Sequence, residues 1–233
     1  MQNLLAARGV KNVKDFLQPT DKYLLEPRLL DNIDQGVLWL EDTLNKENPK
    51  ILIVVDCDVD GFTSGAIMWN YIRALAPELG MSFLLHEHKQ HGLEDCCQTI
   101  LDGEIDYDLI ILPDSSSNDF KYHELLGERG TRCLVLDHHE VDKKIFSTHA
   151  CIINNQLSEY YNNKDLTGAG VAWQFCRYYD QLHSINYSNN LIDLAALGIC
   201  GDMGSVLSME NRYIMHTGFA NINNYFFKSA IEK

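Results

Sequence analysis

Five short apolar runs recur through the middle of the 233-residue chain, at residues 51–55, 81–85, 109–112, 132–136 and 151–153. Several are separated by segments with helical character, such as 62–75 and 122–129. The first run, Ile51-Leu52-Ile53-Val54-Val55, is continuous rather than alternating, the pattern of a strand buried on both faces. Strands that alternate with helices are joined by right-handed crossovers into a parallel sheet. The expected fold is therefore α/β, a mostly parallel five-stranded sheet flanked by helices, with a helical N-terminal lead-in and a helical C-terminal end.

The lead-in covers residues 1–50. A short helix over 13–17 is stopped by Pro19, and residues 27–44 carry Leu29, Leu30, Ile33, Val37, Leu40 and Leu44 at amphipathic spacing, ending at Asn48-Pro49. From Gly168 the pattern turns helical, over 171–182, 191–199 and 211–224. We expect a core domain at 51–205 and a helical C-terminal segment at 206–233.

Acidic and imidazole motifs follow three of the strands. Asp56-Cys57-Asp58-Val59-Asp60-Gly61 comes directly after the first. In extended backbone alternate side chains share a side, so Asp56, Asp58 and Asp60 would converge, and a divalent cation would relieve their repulsion. Thr63-Ser64 would then open a helix whose N-terminus favours phosphate. The structural alternative is an acidic strand-to-helix turn with an N-cap. Pro113-Asp114-Ser115-Ser116-Ser117-Asn118-Asp119 follows the third strand, where open parallel sheets place their ligands. Asp114 is suited to share a metal, and Ser115, Ser116 and Asn118 offer donors to a substrate, although Ser and Asn also favour helix caps for local reasons. Asp137-His138-His139-Glu140 follows the fourth strand. Imidazole among oxygens suits the harder divalent metals, and a neighbouring carboxylate orients such rings.

Two weaker features lie further on. Gly201-Asp202-Met203-Gly204 reads as a helix end and gains interest as one more carboxylate for the site. Gly168-Ala169-Gly170 would let backbone approach a phosphate, or simply form a tight turn. His86, His88 and His91 have the spacing of a metal clamp but sit in what reads as a surface loop, so a non-ligating role is preferred for them.

Charge and cysteine content narrow the partners. The formal net charge of −14 is unfavourable for gripping polymeric phosphate, unless bound cations reverse the local field or a basic domain lies elsewhere. Seven Cys without a C-x-x-C pair point to reduced thiols in a cytoplasmic protein rather than to zinc. No apolar run approaches a membrane span, so no membrane partner is expected.

In order, VVDCDVDGFTS, ILPDSSSND, VLDHHE and LAALGICGDM resemble the four signature motifs of the DHH phosphoesterase superfamily. LAARGVKNVKDFLQP, GAGVAWQF and GDMGSVLSMENRYIMHTG further resemble its RecJ branch, so the resemblance covers nearly the whole chain. It implies a hydrolase that degrades single-stranded DNA from the 5′ end with two Mn²⁺ ions, Mg²⁺ being the substitute. Carried over by motif, Asp58, Asp60, Asp114, His138 and Asp202 would be ligands, with Asp114 bridging and Asp56 a ligand or the orienter of one. His139 would face the scissile phosphate, and Asp137 would brace the His pair. Ser115-Ser116 stand where many members carry Cys-Gly, and the chain stops where the helix to a second, substrate-gripping domain would begin. Two alternatives stay open: a phosphodiesterase of small nucleotides or oligoribonucleotides, and a non-catalytic replication-associated scaffold.

Overall fold

A computed structural model describes residues 2–87, 90–142 and 147–231. Its centre is a five-stranded sheet of β1 (Ile51–Val55), β2 (Met81–Leu85), β3 (Leu109–Pro113), β4 (Arg132–Asp137) and β5 (Ala150–Asn154). The spatial order is β2-β1-β3-β4-β5 and every pair is parallel, as expected from the alternation of strand and helix. From β1 the chain crosses first to β2 on one side and then to β3 on the other. Strand order therefore reverses between β1 and β3, and the crevice outside their carboxyl ends is where such sheets bind ligands.

Both faces of the sheet are covered, which is why its inner strands are apolar without alternation. Ile51, Ile53, Val55, Leu109, Ile111, Leu134 and Leu136 face one core, against α3 (Ile33–Leu44), α4 (Val59–Leu75), α7 (Gly168–His183) and α8 (Ile192–Gly201). Leu52, Val54, Ile110, Leu112, Cys133 and Val135 face the other, against α5 (Cys97–Asp102) and α6 (Phe120–Gly127). Only the edge strand β2 leaves apolar side chains, Phe83 and Leu85, in solvent.

The lead-in contains α1 (Gln2–Ala7) and α2 (Val13–Leu17), the latter capped by Asn12, whose side chain accepts from Asp15 N at 3.2 Å. The amphipathic helix expected over 27–44 is interrupted. Residues 27–29 form a 3₁₀ turn, Asn32 takes a left-handed φ of 65°, and α3 starts at Ile33. Leu29 and Leu30 still pack against the core, so apolar spacing alone did not distinguish a turn followed by a helix from one long helix. At the other end, the helix expected over 211–224 is α9 (Met209–Ala220), which ends four residues sooner, and a further helix, α10 (Tyr225–Ile231), follows it. The short helix α5 had no counterpart in the sequence reading.

Glu210 of α9 locks these parts together. Its Oε1 accepts from Leu25 N at 2.9 Å and Gln174 Nε2 at 2.8 Å, and its Oε2 from Tyr161 OH at 2.9 Å and Asn163 Nδ2 at 2.8 Å. One buried carboxylate thus joins lead-in, α7, α9 and the β5–α7 connection. None of the seven cysteines is in a disulfide among the described residues. Among the described residues no helix is long and apolar enough to cross a membrane.

Candidate metal centre

The first acidic motif is extended at Asp58 but helical from Val59, so the expected alternation of its three Asp side chains does not hold. The helix starts earlier than Thr63: Asp58 is the N-cap of α4, exposed, its carboxylate accepting from Gly61 N at 2.8 Å. Gly61 is required by close approach, since a Cβ there would lie 2.6 Å from the Asp56 carbonyl oxygen. Asp60 falls in the first helical turn and is buried. Its carboxylate accepts from Thr167 Oγ1 at 2.9 Å, Gly168 N at 2.7 Å and Ala169 N at 3.1 Å. A carboxylate thereby occupies the positive N-terminus of α7.

Gly168 and Gly170, expected as phosphate contacts or as a tight turn, lie in the first turn of α7. Both are buried, and the Gly168 amide already donates to Asp60. A Cβ on Gly168 would stand 2.6 Å from Asp114 Cβ and 2.7 Å from Asp114 Cα, so glycine lets α7 approach the end of β3. A Cβ on Gly170 would run into Leu166 instead.

Asp114, at a left-handed φ of 69°, continues the sheet ladder by donating its N–H to Leu136 O at 2.8 Å. Its side chain is buried, and Oδ1 makes no hydrogen bond. His138 Nε2 lies 3.1 Å from that oxygen, 3.7 Å from Asp60 Oδ2 and 4.0 Å from Asp202 Oδ2. One imidazole nitrogen is thus framed by carboxylates from the end of β3, the start of α4 and the end of α8, where Asp202 is the C-cap. Two overlapping sets, Asp114-His138-His139 and Asp60-His138-Asp202, each bring their ligand atoms within 4.8 Å of one another.

The electrostatics show what this cluster lacks. Burial, and then the charge and hydrogen bond of Asp60, raise the Asp114 pKa well above the ordinary carboxylate value, with Asp137 and Asp58 adding to it. Burial also raises that of Asp202; Asp60 and Asp58 push it the same way and His138 opposes them. Carboxylates crowded until one resists ionising, around a single imidazole nitrogen, fit a divalent cation. Oxygen donors with one imidazole suit Mn²⁺ or Mg²⁺ better than softer ions.

Asp137 braces the histidine pair. Its Oδ1 accepts from His138 N at 2.7 Å and His139 N at 3.2 Å and contacts His139 Nδ1 at 2.7 Å, while Oδ2 accepts from Ser117 N at 3.0 Å. Burial alone would raise its pKa, but His139, Ser117 and His138 together hold it well below the ordinary range. The hydrogen bond that His139 Nδ1 donates to Asp137 in turn raises the pKa of His139.

The remaining site residues divide. Ser115 is buried with an unpartnered hydroxyl, and Ser116 Oγ accepts from Leu93 N at 3.1 Å. Asn118 donates to Glu140 O at 2.9 Å and accepts from Asp142 N at 2.9 Å, tying the second motif to the loop after His139. Ser116 and Asn118, expected to offer polar groups to substrate, thus bond to the protein itself. Asp56 stands apart from the His138 cluster: His86 Nε2 is 3.4 Å from its Oδ1 and His91 Nδ1 contacts its Oδ2. The H-x-H-x-x-H segment, expected in a surface loop with a non-ligating role, thus sets His86, which is buried, and His91 against Asp56; His88 lies outside the described residues. The signal was the spacing itself, placed just after β2.

Known proteins resemble this chain in sequence and in fold. Over its full length the chain is 36% identical to a prophage-derived Bacillus subtilis (strain 168) protein named as a single-strand DNA-specific exonuclease, YorK. Over 95% of its length it is 29% identical to the single-stranded-DNA-specific exonuclease RecJ of Haemophilus influenzae. It spans 39% and 40% of those two relatives. The crystal structure of RecJ in complex with Mn²⁺ from Thermus thermophilus superposes with a TM-score of 0.74 at 24% identity, covering 92% of this chain and 30% of that one. The family model described as DHH family, N-terminal domain, matches residues 50–199, and the chain belongs to the DHH family.

Proposed function

We propose that this chain is the metal-dependent catalytic part of an exonuclease that hydrolyses phosphodiester bonds in single-stranded DNA, from the 5′ end. The observation that carries the reading is His138 Nε2 framed by Asp114, Asp60 and Asp202 at the switch point of a parallel sheet. The names borne by the relatives support DNA as the substrate class. Asp60, Asp114, His138 and Asp202 would hold Mn²⁺, with Mg²⁺ as substitute. Asp58 would serve a second ion, with Asp114 shared, and Asp56 would be a ligand or the orienter of one. Asp58 is close enough for its charge to act on both Asp114 and Asp202. When bound, such ions supply an activated water and charge neutralisation at the leaving oxygen.

The chain's own residues do the rest. Asp137 fixes the His139 ring through Nδ1, leaving Nε2 directed away from it, toward the phosphoryl group in this reading. Gly168 admits α7 against Asp114, so the α7 N-terminus holds Asp60 in place. We assign the lead-in to residues 1–50, the catalytic core to 51–205 and the following helical segment to 206–233. The match to 50–199 and the β1 start at Ile51 support the first boundary. The net charge of −14 supports a second domain that grips the polymer, and the chain spans only 39% of its relative.

The test is a Mn²⁺ reaction on 5′-labelled and 3′-labelled oligonucleotides beside cyclic dinucleotides and phosphoadenosine phosphate. Slow, distributive cleavage of the single strand with high KM and little action on duplex is expected. Rapid turnover of the small nucleotides with intact oligonucleotides would replace this reading with the small-nucleotide phosphodiesterase. No hydrolysis of either by metal-loaded protein would favour the scaffold.

A further inference from the structure

The turn after β2 belongs to none of the four motifs, yet it is tied into the centre. Gly92 N donates to Asp56 Oδ1 at 3.2 Å, and Leu93 N donates to Ser116 Oγ at 3.1 Å and to Asp119 Oδ2 at 2.8 Å. Asp95 Oδ2 accepts from His91 N at 2.9 Å, so the backbone on both sides of the His91 side chain is held. The ring it carries is set against Asp56 through Nδ1 and stands edge-on to His139, with centroids 5.2 Å apart and planes at 80°.

His91 and His139 thus share one construction. Each has Nδ1 on a carboxylate that is itself buried, and each leaves about half of its side chain exposed, 52% for His91 and 46% for His139. The two nitrogens of an imidazole diverge, so anchoring Nδ1 inward turns Nε2 outward. A carboxylate on one side and an anionic oxygen on the other hold both ring protons in place. The carboxylates of the centre repel a phosphate, whereas this pair of rings is placed to receive one.

We propose that His91 is a second substrate-contacting imidazole: anchored on Asp56, its Nε2 donates to a non-bridging phosphoryl oxygen beside the one contacted by His139. The inference rests on the phosphodiester reading above and adds a substrate contact from outside the four motifs. It also gives Asp56 a task as the anchor of that ring, since both of its oxygens meet protein groups.

His91→Asn and His91→Gln test it. The Asn amide reaches where Nδ1 was and keeps the Asp56 contact but offers nothing at Nε2; the Gln amide does the reverse. In ¹H–¹⁵N spectra of the Mg²⁺-loaded chain, titration with inorganic phosphate should shift the Nε2 signals of both His91 and His139. His91→Asn should weaken phosphate binding by about tenfold, the loss expected for one hydrogen bond to a charged group. KM on a thymidine oligonucleotide should rise by a similar factor with kcat changed much less, and the gain in melting temperature with Mn²⁺ should match wild type. His91→Gln should recover part of the phosphate affinity that His91→Asn loses. A His91 signal unmoved at saturating phosphate, or His91→Asn with wild-type phosphate affinity and KM, would overturn the proposal. If wild type shifts at His91 with phosphate and His91→Asn loses that affinity, but no phosphodiester is cleaved, the contact stands and the nuclease reading falls.

Discussion

His138 Nε2 lies 3.1 Å from Asp114 Oδ1, although the two residues follow different strands and are 24 positions apart. The sheet register sets this distance. Pro113 pairs with Leu136 across β3 and β4, so Asp114 emerges beside Asp137 and the next residue, His138, turns back over it. Neighbouring parallel strands thus deliver a carboxylate and an imidazole to one point.

Removing one charge there should have opposite effects with and without metal. In metal-free protein, Asp114→Asn should raise the melting temperature, because burial and Asp60 already disfavour the ionised form. Wild type should gain about 2.7 kcal/mol when free Mn²⁺ is 100 times its Kd. The variant should gain little, so its advantage reverses as Mn²⁺ is added. Equal stabilisation of both proteins in a thermal melt would remove Asp114 from the centre.

His138 and His139 should separate in function. His138 Nε2 faces three carboxylates, whereas His139 is held by Asp137 and is half exposed. Calorimetric titration with Mn²⁺ should show His138→Ala losing affinity and His139→Ala keeping it while turnover falls. Equal loss of affinity in both would show that the ring braced by Asp137 is also a ligand.

A pH effect on stability should come from His123 on α6. Its ring is fully buried edge-on to Phe120, with neither nitrogen in a hydrogen bond by geometry, and burial pushes its pKa down to about 4. Its unfolded value is near 6.5, so between those limits the unfolded chain binds a proton that the folded chain refuses. Stability therefore falls as pH drops through that window, by up to about 3 kcal/mol for this group. His123→Phe should show a smaller loss between pH 7 and pH 5 in chemical denaturation; a slope as steep as wild type would assign the pH dependence to other groups.

Glu210→Gln is nearly isosteric and should still destabilise the fold. All four groups bonded to Glu210 donate, so an amide NH₂ would face two donors instead of accepting from them. Leaving buried donors unpaired costs about 1–3 kcal/mol, which urea unfolding would resolve. Hydrogen exchange at Leu25 N should quicken in the variant, since that amide holds the lead-in to α9. Unchanged exchange there would mean that other contacts secure the lead-in.

Much of the architecture was legible because it follows from local pattern. Strands buried on two faces must be continuously apolar, and all five were located within a residue of their ends. The break before α3 was not legible, because Leu29 and Leu30 pack against the core whether the backbone is a 3₁₀ turn or an α-helix, and the left-handed Asn32 leaves no mark in apolar spacing.

For the centre, the order of motifs after successive strands determined that acidic and imidazole groups would gather at one end of a parallel sheet, since strand direction alone sends them there. Which group meets which was decided only by tertiary structure. Asp60 lies on the α7 N-terminus because two helices cross above β1 and β3, Gly168 leaves room for Asp114 because α7 presses onto the end of β3, and Asp56 faces His91 because the β2 turn folds back over the strand beside it. These are contacts between residues distant in sequence. Their distances are set by helix packing and strand register, which no local pattern encodes.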